Sequence, residues 1–239
     1  MIDIHCHLLW GMDDGAKNYN DSLALCRLAV ENSINAIVAT PHFYDYNNVE
    51  KFVREREQKA QDLREMVERE DLDIGIGTGA EVFLSDGIFD VEDFTPLSIN
   101  ESRYVLCEYI LKPFDPKYAV IYAERICQMG FVPVIAHPER YKTFIENKWV
   151  ADELLKLGAL FQINVPSLSG KGGEIIKDYA SELVFSNGAA VLGTDAHSPF
   201  SRPNDYLACR PDFDESIDEE TLAILTVKNP YKIISNKKI

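Results

Sequence analysis

Seven short β-rich runs alternate with longer helical stretches along this chain, and that alternation constrains the fold more than any other feature. The runs are residues 2–6, 36–40, 74–83, 104–109, 132–136, 159–164 and 189–194. Helical patterning covers 21–33, 49–70, 117–129, 148–157, 173–186 and a last stretch from Asp218 to about Lys228. In the first of these, Leu25, Leu28 and Ala29 share one face. Runs such as Val132-Pro133-Val134-Ile135-Ala136 are apolar on both faces, as expected of parallel strands covered by helices. Strict β-α alternation favours an α/β barrel over a sandwich or a bundle. No segment reads as linker, repeat or low-complexity sequence, so residues 1–239 read as a single domain, with the acidic stretch 212–220 a solvated loop before the last helix. With 239 residues, 46% of them hydrophobic, the chain can bury the core such a fold needs.

Composition removes several functions. A formal net charge of −15 repels duplex DNA and anionic membranes, so no nucleic-acid partner is expected. Five scattered cysteines without a Cys-x-x-Cys pair suggest neither a disulfide framework nor a zinc knuckle and suit a reducing cytoplasm. No apolar run approaches the roughly 18 residues of a membrane span, and His5 and His7 stand too early for a cleavable signal peptide to precede them. The charged stretch 49–70 reads as a solvated helix. Gly75, Gly77 and Gly79 lack the residues that would complete a phosphate loop, so they read as sites of close packing within a strand.

The chemistry lies at the strand ends. All five histidines, His5, His7, His42, His137 and His197, fall at or just past the carboxyl end of an expected strand. Asp14, Glu81, Glu108 and Asp195 occupy similar places. In a barrel these ends face one mouth, where catalytic residues collect. Four buried carboxylates would repel one another, whereas divalent cations would compensate them and accept imidazole nitrogen as well. Strand alternation turns His5 and His7 to one side and Cys6 into the core, and Asp195-Ala196-His197 repeats that spacing near the other end of the chain. A mixed imidazole and carboxylate set without thiolate suits Mn, Fe or Zn in a hydrolytic site, and nine ligands imply more than one ion.

Such a cluster can hold a bridging hydroxide and clamp an oxyanion during in-line displacement. Arg140, in His-Pro-Glu-Arg-Tyr, and Arg202, in His-Ser-Pro-Phe-Ser-Arg-Pro, follow ligands into mouth loops where a guanidinium can fork onto phosphate. A cysteine-based phosphatase would need Arg six residues after Cys, but those positions hold Met12, Asn32, Pro113, Pro133 and Glu215. No Gly-x-Ser-x-Gly elbow offers a serine hydrolase. Tyr44, Tyr46, Tyr109 and Tyr141 near the mouth read as packing residues rather than members of the site.

Together these segments resemble the polymerase-and-histidinol-phosphatase (PHP) superfamily, specifically its bacterial manganese-dependent tyrosine-protein phosphatases of capsule and exopolysaccharide operons. The resemblance runs from Met1 to the Asn229-Pro230 region. Its carriers are Ile2-Asp3-Ile4-His5-Cys6-His7, Asp13-Asp14-Gly15, Thr40-Pro41-His42, Gly79-Ala80-Glu81, Leu106-Cys107-Glu108-Tyr109, Pro133 to Tyr141 and Thr194-Asp195-Ala196-His197. It implies a distorted seven-stranded (β/α) TIM-like barrel of PHP type with a trinuclear Mn2+ centre. By that analogy His5, His7, Glu81 and Asp195 hold one ion, and Glu81 bridges to a second with Glu108 and His137. Asp14, His42 and His197 hold the third. Arg140 and Arg202 match the family's phosphate-binding positions. Ala16 stands where many members have proline, and the loop 42–48 is aromatic and acidic.

Glu at position 108 sides with the tyrosine-phosphatase branch of the resemblance, since histidinol phosphatases tend to carry His there. The expected activity is hydrolysis of phosphotyrosine on a partner protein, a phosphorylated tyrosine kinase of a polysaccharide operon. The alternative is a small-molecule phosphomonoesterase such as histidinol phosphatase. A catalytically silent metal-binding scaffold is disfavoured by the complete ligand set and both arginines, and a nuclease by the overall acidity.

Overall fold

The computed structural model describes residues 1–186, 188–213 and 216–239. All seven expected runs contain strand; one of them, 74–83, is broken in two, and a further short strand lies just past the run 36–40. The strands are β1 (Ile2–Cys6), β2 (Ala36–Ala39), β3 (His42–Phe43), β4 (Gly75–Thr78), β5 (Glu81–Phe83), β6 (Tyr104–Glu108), β7 (Val132–Ala136), β8 (Leu160–Asn164) and β9 (Ala189–Gly193). All pairings between these strands are parallel, in a three-stranded sheet ordered β1-β2-β4 and a six-stranded sheet ordered β3-β5-β6-β7-β8-β9.

The strand of the run 36–40 ends at Ala39, and the short β3 starts beyond Thr40-Pro41, where proline has no N–H to give a ladder. The run 74–83 breaks at Gly79-Ala80. The two segments stay bonded to each other there: Gly79 N–H donates to Ala39 O at 2.9 Å and Glu81 N–H to Pro41 O at 3.1 Å. Gly77 meets the close-packing expectation, because a Cβ there would come within 2.3 Å of Asn100 Oδ1. Across the two sheets, β1 and β9 are linked just past their ends, by Asp195 N–H to His5 O at 2.9 Å and His7 N–H to Ala196 O at 2.8 Å.

Helices follow the strands much as patterned: Tyr19–Glu31, Val49–Arg69, Lys117–Gln128, Trp149–Lys156 and Glu174–Phe185. The first begins two residues early because the Asn18 side chain accepts from Asn20 N–H and Asp21 N–H, a better N-cap than a start at Asp21. The last does not stop at Lys228. Glu219–Ala223 passes through a widened π turn, Ile224–Lys228, into Asn229–Ile234, and that turn carries the chain past Pro230 at the start of a helix, where its missing N–H costs nothing. Asp214 and Glu215 of the acidic stretch lie outside the described residues. Among the described residues no helix is long and apolar enough to cross a membrane. All five cysteines are free.

Candidate metal centre

Strand register brings the nine expected ligands together. β3 and β5 pair His42 with Glu81, and β5 and β6 pair Phe83 with Glu108, so three ligands meet on adjacent strand ends. His137 follows β7 directly and Asp195 follows β9 after Thr194, and both take left-handed backbone conformations, with φ of 36° and 53°. Non-glycine residues adopt that region only when their surroundings hold them there, at roughly 1–3 kcal/mol each. Gly193 permits the close approach beside them, since a Cβ would lie 2.9 Å from Gln162 Nε2 and 3.2 Å from His5 Cβ.

Glu81 is the centre of the cluster. Its Oε2 lies 3.2 Å from His5 Nε2, 3.2 Å from His7 Nε2 and 3.0 Å from His42 Nδ1, and its Oε1 lies 3.1 Å from His137 Nε2. Glu108 approaches His42 Nδ1 at 3.3 Å and His137 Nε2 at 3.8 Å. Asp195 Oδ1 is 3.5 Å from both His5 Nε2 and His7 Nε2. Asp14 lies outermost, two-thirds exposed, 3.3 Å from His197 Nε2 and 3.6 Å from His42 Nε2. Four sets have ligand atoms within 4.8 Å of one another: His5, His7 and Glu81; His5, His137 and Asp195; His42, Glu81 and Glu108; and His7, Asp14, His42 and His197. His42 thus reaches the Glu81 and Glu108 set as well as the Asp14 and His197 set. Cys6 is fully buried in the main apolar core, as expected.

The donor chemistry fits cations. His5 Nδ1 faces Gln162 Oε1 at 2.6 Å, and His7 Nδ1 faces an Asp13 carboxylate oxygen at 2.6 Å. Both Nδ1 atoms therefore donate, which leaves Nε2 of each neutral ring as an acceptor. Those two Nε2 atoms stand 3.3 Å apart and point at the same carboxylate oxygen. Glu81 Oε2 is buried without a hydrogen bond, although three imidazoles surround it. Acceptors facing acceptors in a buried site need a positive charge between them, supplied by protons or by metal.

Protons fill that role wherever burial is outweighed. Burial alone would lower the His5 pKa, but Glu81 and Asp195 raise it to about 9. Burial is likewise overcome at His42 by Glu108 and Glu81, which raise it to about 11. Glu81 is held well below the usual carboxylate range despite its burial, chiefly by His5 and His137. Burial and the neighbouring His7 push His197 down to about 4, so it is a neutral ligand at pH 7. Cations must displace the protons on His5 and His42, so metal affinity is expected to rise with pH between 6 and 9 and loading to release protons. Calorimetric titration in two buffers of different ionisation enthalpy checks this. Equal heats in both would sink it.

Three residues that support the cluster escaped the reading of the sequence. Asp13 accepts from His7 Nδ1–H and from the N–H groups of Gly15 and His42 at 2.6, 2.8 and 2.9 Å. Its pKa is lowered to about 2, burial being outweighed by the His7 hydrogen bond and charge. Gln162 orients His5 and donates to Asn164 Oδ1 at 2.9 Å, and Asn164 donates to Asp195 Oδ2 at 2.8 Å. The signal was the alternation Phe161-Gln162-Ile163-Asn164, which puts two amides on one face of β8. Asp13→Ala is expected to weaken metal binding by about 10- to 100-fold, measured by competition with a fluorescent chelator. An unchanged affinity would remove Asp13 from this role.

Both expected anchors are also here. Arg140 Nη1 and Arg202 Nη2 donate to the same Asp195 Oδ2 at 2.9 and 2.8 Å. They line a pocket of about 300 Å³ together with Asn164, Ser167, Lys171 and Ser201.

Comparison with known proteins identifies the family and the fold. A family model described as "Capsular polysaccharide synthesis, CpsB/CapC" matches residues 1–235. Tyrosine-protein phosphatase YwqE of Bacillus subtilis is 37% identical over 207 residues, covering 84% of this chain and 79% of that protein. Tyrosine-protein phosphatase CpsB of Streptococcus pneumoniae is 29% identical over 250 residues, covering both proteins fully. A solved structure from work on YwqE of B. subtilis and CpsB of S. pneumoniae, described as "unique metal-dependent tyrosine phosphatases", superposes with a TM-score of 0.88 at 30% identity, covering 100% of this chain and 96% of that one.

Proposed function

The chain belongs to the CpsB/CapC family of capsular polysaccharide synthesis, and from that premise we propose that it is a metal-dependent phosphatase that removes phosphate from phosphotyrosine on a partner protein. The observation that carries the reading is the convergence of Arg140 and Arg202 on one anionic oxygen of Asp195, a carboxylate that also faces His5 and His7. Two guanidiniums satisfied by one oxygen form a ready receptor for a phosphoryl group beside a cation-binding cluster. Relatives named as tyrosine-protein phosphatases favour this substrate over histidinol phosphate.

His5, His7, Asp14, His42, Glu81, Glu108, His137, Asp195 and His197 would hold the ions, in a trinuclear arrangement. When bound, these would supply positive charge to phosphoryl oxygens and acidify a water nucleophile. Mn2+ is the proposed metal, with Fe or Zn the other candidates, because the donors are imidazole and carboxylate without thiolate. Arg140 and Arg202 bind the phosphoryl oxygens and orient them. Gln162 and Asp13 keep the imidazoles in one tautomer. Tyrosinate, with a phenol pKa near ~10, departs more readily than an alkoxide, so little general-acid assistance is required.

The partner is proposed to be a phosphorylated tyrosine kinase of the polysaccharide operon, met in the cytoplasm, where five free cysteines remain reduced. The distorted seven-stranded barrel of a single domain is adopted on the same footing, supported by the hydrogen bonds that join β1 to β9. Full-length protein reconstituted with Mn2+ is expected to release phosphate from phosphotyrosine peptides, and far more slowly from phosphoserine peptides and histidinol phosphate. Absence of release from every phosphotyrosine peptide would defeat the proposal, and elemental analysis of the same samples identifies the metal.

A further inference from the structure

A second cleft lies beside the cluster and takes no part in its chemistry. It encloses about 210 Å³ and is lined by Phe83, Tyr109, Ile110, Phe114, Tyr118 and Tyr122. Phe83 stands two residues after Glu81 on β5, and Ile110 two residues after Glu108. Along extended β5 the Cα of Phe83 lies about 7 Å from that of Glu81. An aromatic path joins cleft and cluster. The ring of Tyr44, more than half exposed, has its centroid 5.2 Å from that of His42 and 5.3 Å from that of Phe83.

Within the cleft Tyr109 and Phe114 stack at 5.7 Å, and Tyr118 and Tyr122 meet at the same distance. The Tyr109 hydroxyl donates to Ala119 O at 2.8 Å and the Tyr122 hydroxyl to Asp86 at 2.9 Å. With those polar tips already satisfied, the cleft offers ring faces and aliphatic carbon. Ile110 and Tyr118 are 43% and 40% exposed. Single exposed apolar residues are ordinary, but a concave group contiguous with a reactive mouth is a binding feature.

The geometry points to a subsite for one large apolar side chain, aromatic or branched aliphatic, within three residues of the phosphotyrosine in a polypeptide substrate. This rests on the phosphotyrosine reading above. A polypeptide whose phosphotyrosine occupies the cluster must cross the rim, and successive residues advance about 3.3 Å each, so a neighbouring side chain reaches the cleft. The volume suits one such side chain.

The test uses metal-reconstituted full-length protein and phosphotyrosine peptides carrying Phe or Ser at each position from three before to three after the phosphotyrosine. At one position Phe is expected to lower KM about tenfold relative to Ser. Ile110→Ser and Tyr118→Ala are each expected to bring that ratio below about two. Hydrolysis of no peptide overturns the phosphotyrosine reading and the subsite together. Hydrolysis of all with ratios near one at every position overturns the subsite alone, as does a ratio preserved in both variants. Concentration-dependent self-association that Tyr118→Ala abolishes would assign the cleft to a second copy of the chain and also overturn the proposal.

Discussion

Replacing Glu81 by alanine is expected to remove bound metal and to lower kcat on a phosphotyrosine peptide by at least about 10³-fold. Among the described residues, Glu81 is the one carboxylate that faces four imidazoles, those of His5, His7, His42 and His137. Without it, His5, His7 and His42 lose one of the charges that offset their burial, although Asp195, Asp13 and Glu108 remain beside them, and the cluster loses the central negative charge that would attract divalent cations. The fold should survive, because neutral imidazoles are tolerated in a buried site far better than an unpaired carboxylate. Far-ultraviolet circular dichroism checks the fold, elemental analysis the metal, and phosphate release the activity. Glu81→Gln separates charge from shape and should fail in the same way. A variant that keeps its full metal complement and turnover would show that Glu81 is not the hub.

The second large effect belongs to the arginines. Arg140→Ala and Arg202→Ala are each expected to reduce kcat/KM by about 10- to 100-fold, the worth of a charge-assisted hydrogen bond. Together they should cost about 10³-fold or more, with a rise in KM among the changes. Both guanidiniums hold Asp195 Oδ2, so metal content must be measured beside the kinetics. A loss traced wholly to metal would make them supports for Asp195 rather than phosphate anchors. Arg140→Lys should rescue poorly, since an ammonium cannot fork onto two oxygens. Activity that survives both alanine substitutions with KM unchanged would end the assignment.

The candidate ligands were legible because strand ends carry a signature in one dimension: His or a carboxylate at or just after the end of a short apolar run. Six of the seven runs gave nine positions, and the structure gathers all nine. Asp13 was invisible for a different reason. It adjoins Asp14, and no periodic rule says which of two adjacent loop carboxylates turns toward His7. Gln162 and Asn164 could have been found, since their alternation with Phe161 and Ile163 marks an inward polar face, but amides lack the charge that draws attention to a site. The break at Gly79-Ala80 was hidden because two small residues carry no pattern that ends a strand, and β3 was missed because it is two residues long and lies beyond Thr40-Pro41, where the expected run stops. The extension of the last helix past Pro230 rests on a one-residue change in turn width that residue preference does not encode.

The link between β1 and β9 has a consequence for how the enzyme acquires its metals. Cys6 and Ala196, which form the bridge there, are 190 residues apart in the chain. At roughly 5–20 residues per second of synthesis, His5 and His7 wait about 10–40 s before Asp195 and His197 are made. During that interval Asp14, His42, Glu81, Glu108 and His137 join them, so only Asp195 and His197 of the nine candidate ligands are still to come. The two sets that include Asp195 or His197 therefore cannot be complete until translation is nearly finished, whereas the other two are complete once Glu108 has been made.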